Sequence, residues 1–374
     1  MKKLLFATCC IAFLSGSLGA AAQKKSAAKN VLTQTLKGKS WSADNGNGTF
    51  TNPLFYDEFS DPDIIRVGED YYLAGTTMHS VPGLVVLHSK DLVNWEFSSY
   101  CFDRFDDSDD FNLRNGKEAY GQGIWAPAIR YHNGKFYIFS NINGHGLQVY
   151  ISDSAKGPWT HHKVNGDIYD LSVLFDEDGK IYAVHKYGNV TVTELKPDLS
   201  GPVEGSSKVV IPEGNAMGEG HHVYKINGMY YILSADYSPM GRMQCARSKS
   251  IWGPYETCVI SERESYGYAA GWSVGNMGIG RPLPEDGFSF QNNKPNGLNL
   301  GCTTIHQGGI VQAPDGKWWG VSMQDFNAVG RTVCLSPITW VDGWPYFGLE
   351  KNLGRSPRTW FKPNDMVKTP QAPY

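Results

Sequence analysis

MGEGHHVYKINGMYYIL, residues 217–233, carries the pattern on which the fold turns. From His222 it reads as a short apolar strand, a two-residue turn at Asn227-Gly228 and a second, aromatic-rich strand. Asn-Gly between two apolar runs marks a β-hairpin, because both residues tolerate the positive φ that a tight type I′ turn demands. The same grammar recurs in PDIIRVGEDYYLAG (62–75), APAIRYHNGKFYIFS (126–140), LSVLFDEDGKIYAVH (171–185) and GGIVQAPDGKWWGV (308–321). Their turn glycines are Gly68, Gly134, Gly179 and Gly316. No amphipathic helical stretch of respectable length lies between them. Five hairpins of one design predict a radial repeat, an all-β, five-bladed β-propeller whose blades bury their faces against their neighbours. A β-sandwich would not need the turn chemistry to repeat, and a β-helix would need a much shorter period. The long gap between Gly228 and Gly316, with its Gly/Asn-rich 271–300 region, predicts a long loop or an irregular blade.

Composition fits that reading. The chain has 374 residues, 41% hydrophobic and 19% charged, a soluble globular balance with room for a large core. Aromatics reach 13%, which suits strands and surfaces that stack on sugar rings. MKKLLFATCCIAFLSGSLGAAAQ at the start has a Lys2-Lys3 head, an apolar run and a small-residue end. It reads as a signal peptide over 1–22, too short for a membrane span, and predicts a secreted or periplasmic protein. Cys9 or Cys10 could accept a lipid instead, although the preceding residues suit that poorly. Without Lys2 and Lys3 the count falls from 34 to 32 basic residues against 37 acidic ones, a net charge near −5. The charges are mixed and form no basic stripe, so no nucleic-acid partner is expected. Residues 23–50 read as a tether, 51–350 as the propeller and 351–374 as a C-terminal connector or tail. Five cysteines remain (Cys101, Cys245, Cys258, Cys302 and Cys334), an odd, widely spaced set that is no disulfide framework and no zinc site. Cys245 and Cys258 could pair; free thiols fit equally well.

In a propeller the residues just before each innermost strand converge on a shared central cavity. Those positions hold Asp61 and Asp63 (SDPDI), Trp125 (GIWAP), Asp170 (YDLSV), Glu219 (GEGHH) and His306 (IHQGG). Converging carboxylates repel one another and must be hydrogen-bonded, metal-bound or protonated. Two carboxyls with split proton affinities are the equipment of glycoside hydrolysis, one ionised and one holding a proton for the leaving oxygen. Glu219, between two glycines and facing an apolar strand, is the expected proton holder. Asp61, before Pro62, is its expected ionised partner, and Asp170 could tune the donor.

From about Asn52 to Trp344 the chain resembles family 43 glycoside hydrolases, which are five-bladed propellers. The resemblance rests on NPLFYDEFSDPDIIRVGEDYYL, GIWAPAIRYHNGKFYI, YDLSVLFDEDGKIY, EGHHVYKINGMYYIL and IHQGGIVQAPDGKWW, in that order. The later AVGRTVCLSPITWVDGWP is similar to the β-xylosidase and α-L-arabinofuranosidase branch. The resemblance implies an inverting hydrolase releasing β-D-xylose or α-L-arabinofuranose from hemicellulose-derived glycans such as xylan, arabinoxylan or arabinan. It implies Asp61 as general base, Glu219 as general acid and Asp170 as pKa modulator, with the first two carboxyls roughly 6.5–9.5 Å apart. Two rivals are a non-catalytic carbohydrate-binding propeller and a retaining five-bladed hydrolase of the fructan type. The choice between xylosidase and arabinofuranosidase rests on pocket-wall side chains, with Met78 and His79 among the candidates. Relatives in this branch continue into a C-terminal β-sandwich, and RSPRTWFKPNDMVKTPQAPY resembles the connector to one. Without that domain the expected pocket is more open and suits longer or branched substrates.

The remaining assignments follow the same comparison. Trp125 is expected as a wall of the sugar subsite, with core packing as its other reading. Arg331 in AVGR resembles an arginine that binds sugar hydroxyls. His306 is the expected neighbour of a central calcium ion, through water, in a structural or pKa-tuning site; no cofactor is required for catalysis. DEDGK at 176–180 reads as a hairpin turn rather than a calcium loop, and FDRFDDSDDF at 102–111 as a solvated acidic loop near the rim. Strand alternation sends His221 and His222 to opposite faces, so at most one should reach the site. Gly218 and Gly220 are expected to leave room for a sugar beside Glu219.

Overall fold

The computed structural model describes residues 42–105, 108–215, 217–236, 242–261, 307–325, 331–353 and 359–363. Five antiparallel sheets, each of four strands in chain order, span residues 63–102, 124–163, 172–211, 219–259 and 310–347. These are blades I to V of a β-propeller. Their first strands are Asp63–Val67, Ile124–His132, Ser172–Phe175, Glu219–Ile226 and Ile310–Gln312. The first strands of blades I to IV touch in succession, and that of blade V touches blade I, so these strands ring the axis. The 271–300 region of the long gap and His306 lie outside the described residues.

The apolar runs that made the hairpins legible are continuous because both faces of each blade are buried. In Lys135–Ile142, Phe136 and Ile138 point into a core shared with blade I, while Phe139 joins a core shared with blade III. In Met229–Asp236, Tyr230 and Ile232 face blade III, and Tyr231 and Leu233 face blade V. The period-2 alternation thus feeds two cores at once. Each fully buried aliphatic or aromatic side chain contributes about 1.5–3 kcal/mol by leaving water. The turns behave as the sequence predicts: Asn227 and Gly228 take φ of 51° and 77°, and Asn133 and Gly134 take 48° and 80°.

The core between blades V and I differs from the rest. Here Thr49–Thr51 pairs with Thr359–Phe361 in a two-stranded sheet, and Phe50 and Trp360 pack with Ile64, Leu73, Trp319 and Val333. Ala43 joins the same cluster. These paired strands lie at the edges of the 51–350 range, Thr49–Thr51 at the end of the stretch read as tether and Thr359–Phe361 in the stretch read as tail. Blades I and V meet without exchanging a strand, and the paired terminal segments cover the seam. Among the described residues no helix is long and apolar enough to cross a membrane. Cys245 and Cys258 face each other across neighbouring strands as free thiols.

Candidate active site

At or near the entrance of each first strand lies a residue at positive φ: Asp61 (52°), Ala126 (34°), Asp170 (50°), Gly220 (65°) and Gln307 (41°). This left-handed step is one that aspartate tolerates better than most side chains and glycine adopts freely. The five align in sequence, each two residues before Asp63, Ala128, Ser172, His222 and Gly309. This corrects the register of the expected entrances. Asp61 and Asp170 occupy the step itself, whereas Trp125, Glu219 and His306 stand one residue ahead of it. The ladder slips at Trp125/Ala128 and at Glu219/His222, the β-bulges that accommodate the extra residue.

The layer two residues deeper is a belt of polar contacts around the axis. Asp63 is fully buried and accepts from Ile129 N (2.9 Å), Ile64 N (3.0 Å) and the Arg130 guanidinium, with His222 Nδ1 at 3.1 Å. Burial opposes its charge, but Arg130 and His222 hold its carboxyl below the usual aspartate range. Arg130 also donates to Ser172 Oγ and to Val173 O, and Ser172 Oγ accepts from Val223 N at 3.0 Å. Tyr224 Oη in turn accepts from Ile310 N at 2.9 Å. Blade after blade, a side chain of one first strand satisfies the next one's backbone. Asp63 is thus a structural anion with its oxygens occupied, which separates it from Asp61.

Above the belt sit three mutually interacting carboxyls from three blades. Asp61, 8% exposed, accepts from Thr76 Oγ1 at 2.7 Å and from Arg331 Nη1 at 3.3 Å. Thr76 Oγ1 also accepts from Ala126 N (2.9 Å), which ties the blade II bulge to this carboxylate. Asp170, 6% exposed, accepts from Gly220 N at 2.7 Å, and its own N–H donates to Asn141 Oδ1 at 3.0 Å. Burial, followed by the charges of Glu219 and Asp61, pushes Asp170 up to about 8. Glu219 is half-buried and accepts from Tyr169 Oη at 3.0 Å. Burial raises its pKa, opposed by the Tyr169 hydrogen bond, reinforced by Asp61 and opposed again by Arg331. The three acids and Arg331 therefore act on one another.

The other expected residues divide. Arg331 joins the acids, anchored by its own N–H to Glu58 Oε2 at 2.7 Å. Trp125 is half-buried, and among the described residues its indole N–H meets no hydrogen-bond partner. His79 accepts from Gly121 N at 3.1 Å and lies 4.6 Å from the Tyr120 ring. His221 and His222 both contribute atoms to a small cavity at the axis that Asp61, Asp63 and Asp170 also line. Their rings still diverge. His221 lies between Ser234 Oγ (2.5 Å) and Lys186 O (2.6 Å), and burial pushes it down to about 4.

Gly220 leaves no space for a sugar: a Cβ there would lie 2.5 Å from Gln307 Cγ. Its glycine serves the bulge and presents its N–H to Asp170. The acidic loop is also more than a solvated one, since Phe111 is buried and packs near His145, which contacts Asp110 at 3.2 Å. Tyr169, Thr76, Asn141 and Arg130 are site residues not singled out from the sequence. Tyr169 stands directly before Asp170 in the YDLSV phrase, the one local signal available. His306 lies outside the described residues. Among the described residues no group of three or more His, Cys, Asp or Glu is arranged to hold a metal ion, and Asp63 is saturated by protein donors. The described residues thus supply no cation ligand set.

A five-bladed propeller whose axis gathers three coupled carboxyls and an arginine has the layout of a carbohydrate-active propeller. The family described as Glycosyl hydrolases family 43 matches residues 50–268, and the chain belongs to it. The chain is 34% identical to the non-reducing end alpha-L-arabinofuranosidase BoGH43B of Bacteroides ovatus, over 80% of this chain and 54% of that protein. It is 29% identical to a beta-xylosidase of Formosa agariphila, over 92% of this chain and 58% of that one. Among solved structures, a bifunctional GH43-CE protein of Bacteroides eggerthii superposes with a TM-score of 0.69 at 33% identity. That match covers 84% of this chain and 37% of the other. The chain spans a little over half the length of the curated relatives it matches.

Proposed function

We propose that this chain is an inverting glycoside hydrolase releasing xylose or arabinofuranose from hemicellulose-derived glycans, with Asp61 as general base, Glu219 as general acid and Asp170 as modulator. The observation that carries it is the asymmetry of the three acids. Asp61 is oriented by a cation and a hydroxyl, as suits an anionic base, whereas Glu219 accepts from a neutral phenol and is made more basic by burial. In this reading Asp61 takes a proton from water as it attacks the anomeric carbon, while Glu219 protonates the departing oxygen. Asp170, held largely protonated at neutral pH, keeps negative charge near the donor low enough for substrate to approach. Pentose specificity is supported by the relatives named as β-xylosidase and α-L-arabinofuranosidase. Residues 1–22 support export, so we place the protein outside the cytoplasm.

Asp61→Ala and Glu219→Ala test this on nitrophenyl pentosides and on xylo- or arabino-oligosaccharides. Asp61→Ala is expected to lose about 10²–10⁴-fold on both substrate types. Glu219→Ala is expected to lose far more on the oligosaccharide, because nitrophenolate departs without a proton. Parent-level hydrolysis by both variants would refute the site.

A further inference from the structure

We infer that Tyr169 is a positioning residue for the proton donor: its hydroxyl pins Oε2 of Glu219 and so assigns the transferred proton to Oε1. This rests on the reading of Glu219 as general acid and adds to it the residue that sets the donor's orientation.

The geometry is specific. Tyr169 Oη donates to Glu219 Oε2 at 3.0 Å, and among the described residues Oε1 has no protein partner. In an extended strand, residues 169 and 170 would send their side chains to opposite faces. The left-handed step at Asp170 breaks that alternation, and both residues act on Glu219. The tyrosine backbone is fixed as well, because Tyr169 O accepts from Lys186 N at 2.9 Å. Gly188 N donates to Gly218 O at 2.9 Å, so one short loop braces the residues beside both Asp170 and Glu219. The ring itself is 37% exposed.

The phenol is a permanent donor here, since burial and the Glu219 charge raise its own pKa. An oxygen that always accepts a hydrogen bond is the less basic of the two, so the carboxyl proton resides on the other. The groups acting on Glu219 are Asp61 from blade I, Asp170 and Tyr169 ahead of blade III, and Arg331 from blade V. Of these, Tyr169 alone contacts Glu219 by a side-chain hydrogen bond.

Tyr169→Phe tests the inference, since it keeps the ring and removes the hydroxyl. The expected result is a kcat at least about tenfold lower on xylo- or arabino-oligosaccharide, with a much smaller loss on the nitrophenyl pentoside. The alkaline limb of kcat/KM should move to higher pH, because the carboxylate has lost a stabilising donor. An unmoved limb with equal losses on both substrates, or no loss, would overturn the proposal and leave Tyr169 a packing residue. Glu219→Ala run in parallel separates the two levels. Parent-level activity in that variant removes the donor itself, whereas a leaving-group-dependent loss there with an unaltered Tyr169→Phe overturns only the tyrosine's role.

Discussion

At the scale of single residues, the site is governed by where protons reside. Asp170 keeps its proton to about pH 8 in the folded chain, whereas an unfolded aspartate releases it near ~4. Between those values the folded state binds the extra proton, so this residue makes stability fall as pH rises through the window. Asp170→Asn removes that penalty while preserving an acceptor for Gly220 N. Its melting temperature should exceed the parent's by at least ~2 °C at pH 8.5 and match it near pH 4. A difference independent of pH across that range would contradict the assignment. In the proposed mechanism Glu219 is the donor, and its raised pKa acts on the rate in the same direction: activity should decline on the alkaline side as Glu219 loses its proton.

At the scale of elements, the five entrances show what could and could not be read ahead. The hairpins were legible because their turn residues and period-2 runs are local signals, as Asn227-Gly228 confirms. The convergence of Asp61, Asp170 and Glu219 was legible because each stands within a residue of the entrance to its hairpin. The one-residue shift of Glu219 was not, because it depends on a bulge created by Gly220 at positive φ against Gln307. Tyr169 escaped notice because its contact crosses from blade III to blade IV, and Arg130 because its side chain reaches two other first strands, at Asp63 and at Ser172–Val173. The bulge makes its own prediction. Gly220→Ala would place a Cβ 2.5 Å from Gln307 as well as straining the backbone, whereas Gly228→Ala at φ 77° meets nothing within 4 Å. Denaturant unfolding should find Gly220→Ala destabilised by about 1–3 kcal/mol more than Gly228→Ala, and less active. Equal costs would mean that Gln307 gives way freely.

At the scale of the whole molecule, four of the five cores are made by consecutive blades, while the fifth is completed by strands from opposite ends of the described chain. No local pattern announces a pairing of Thr49–Thr51 with Thr359–Phe361, and it was absent from the expected boundaries. Phe50 and Trp360 are fully buried at this seam. Trp360→Ala should therefore cost about 3–5 kcal/mol in urea unfolding, comparable with truncating a blade-core aromatic; a cost near zero would mean that the terminal pair is dispensable. The closed ring matters for chemistry because Asp61 and its Arg331 partner sit on the two blades that meet there. In the proposed mechanism this ring holds a base and an acid on opposite sides of a pentosyl bond. Proton NMR of the first-formed sugar, recorded before mutarotation, tests it most directly. Hydrolysis of a nitrophenyl β-D-xyloside or α-L-arabinofuranoside should release the inverted anomer first; initial release of the retained anomer would contradict the account.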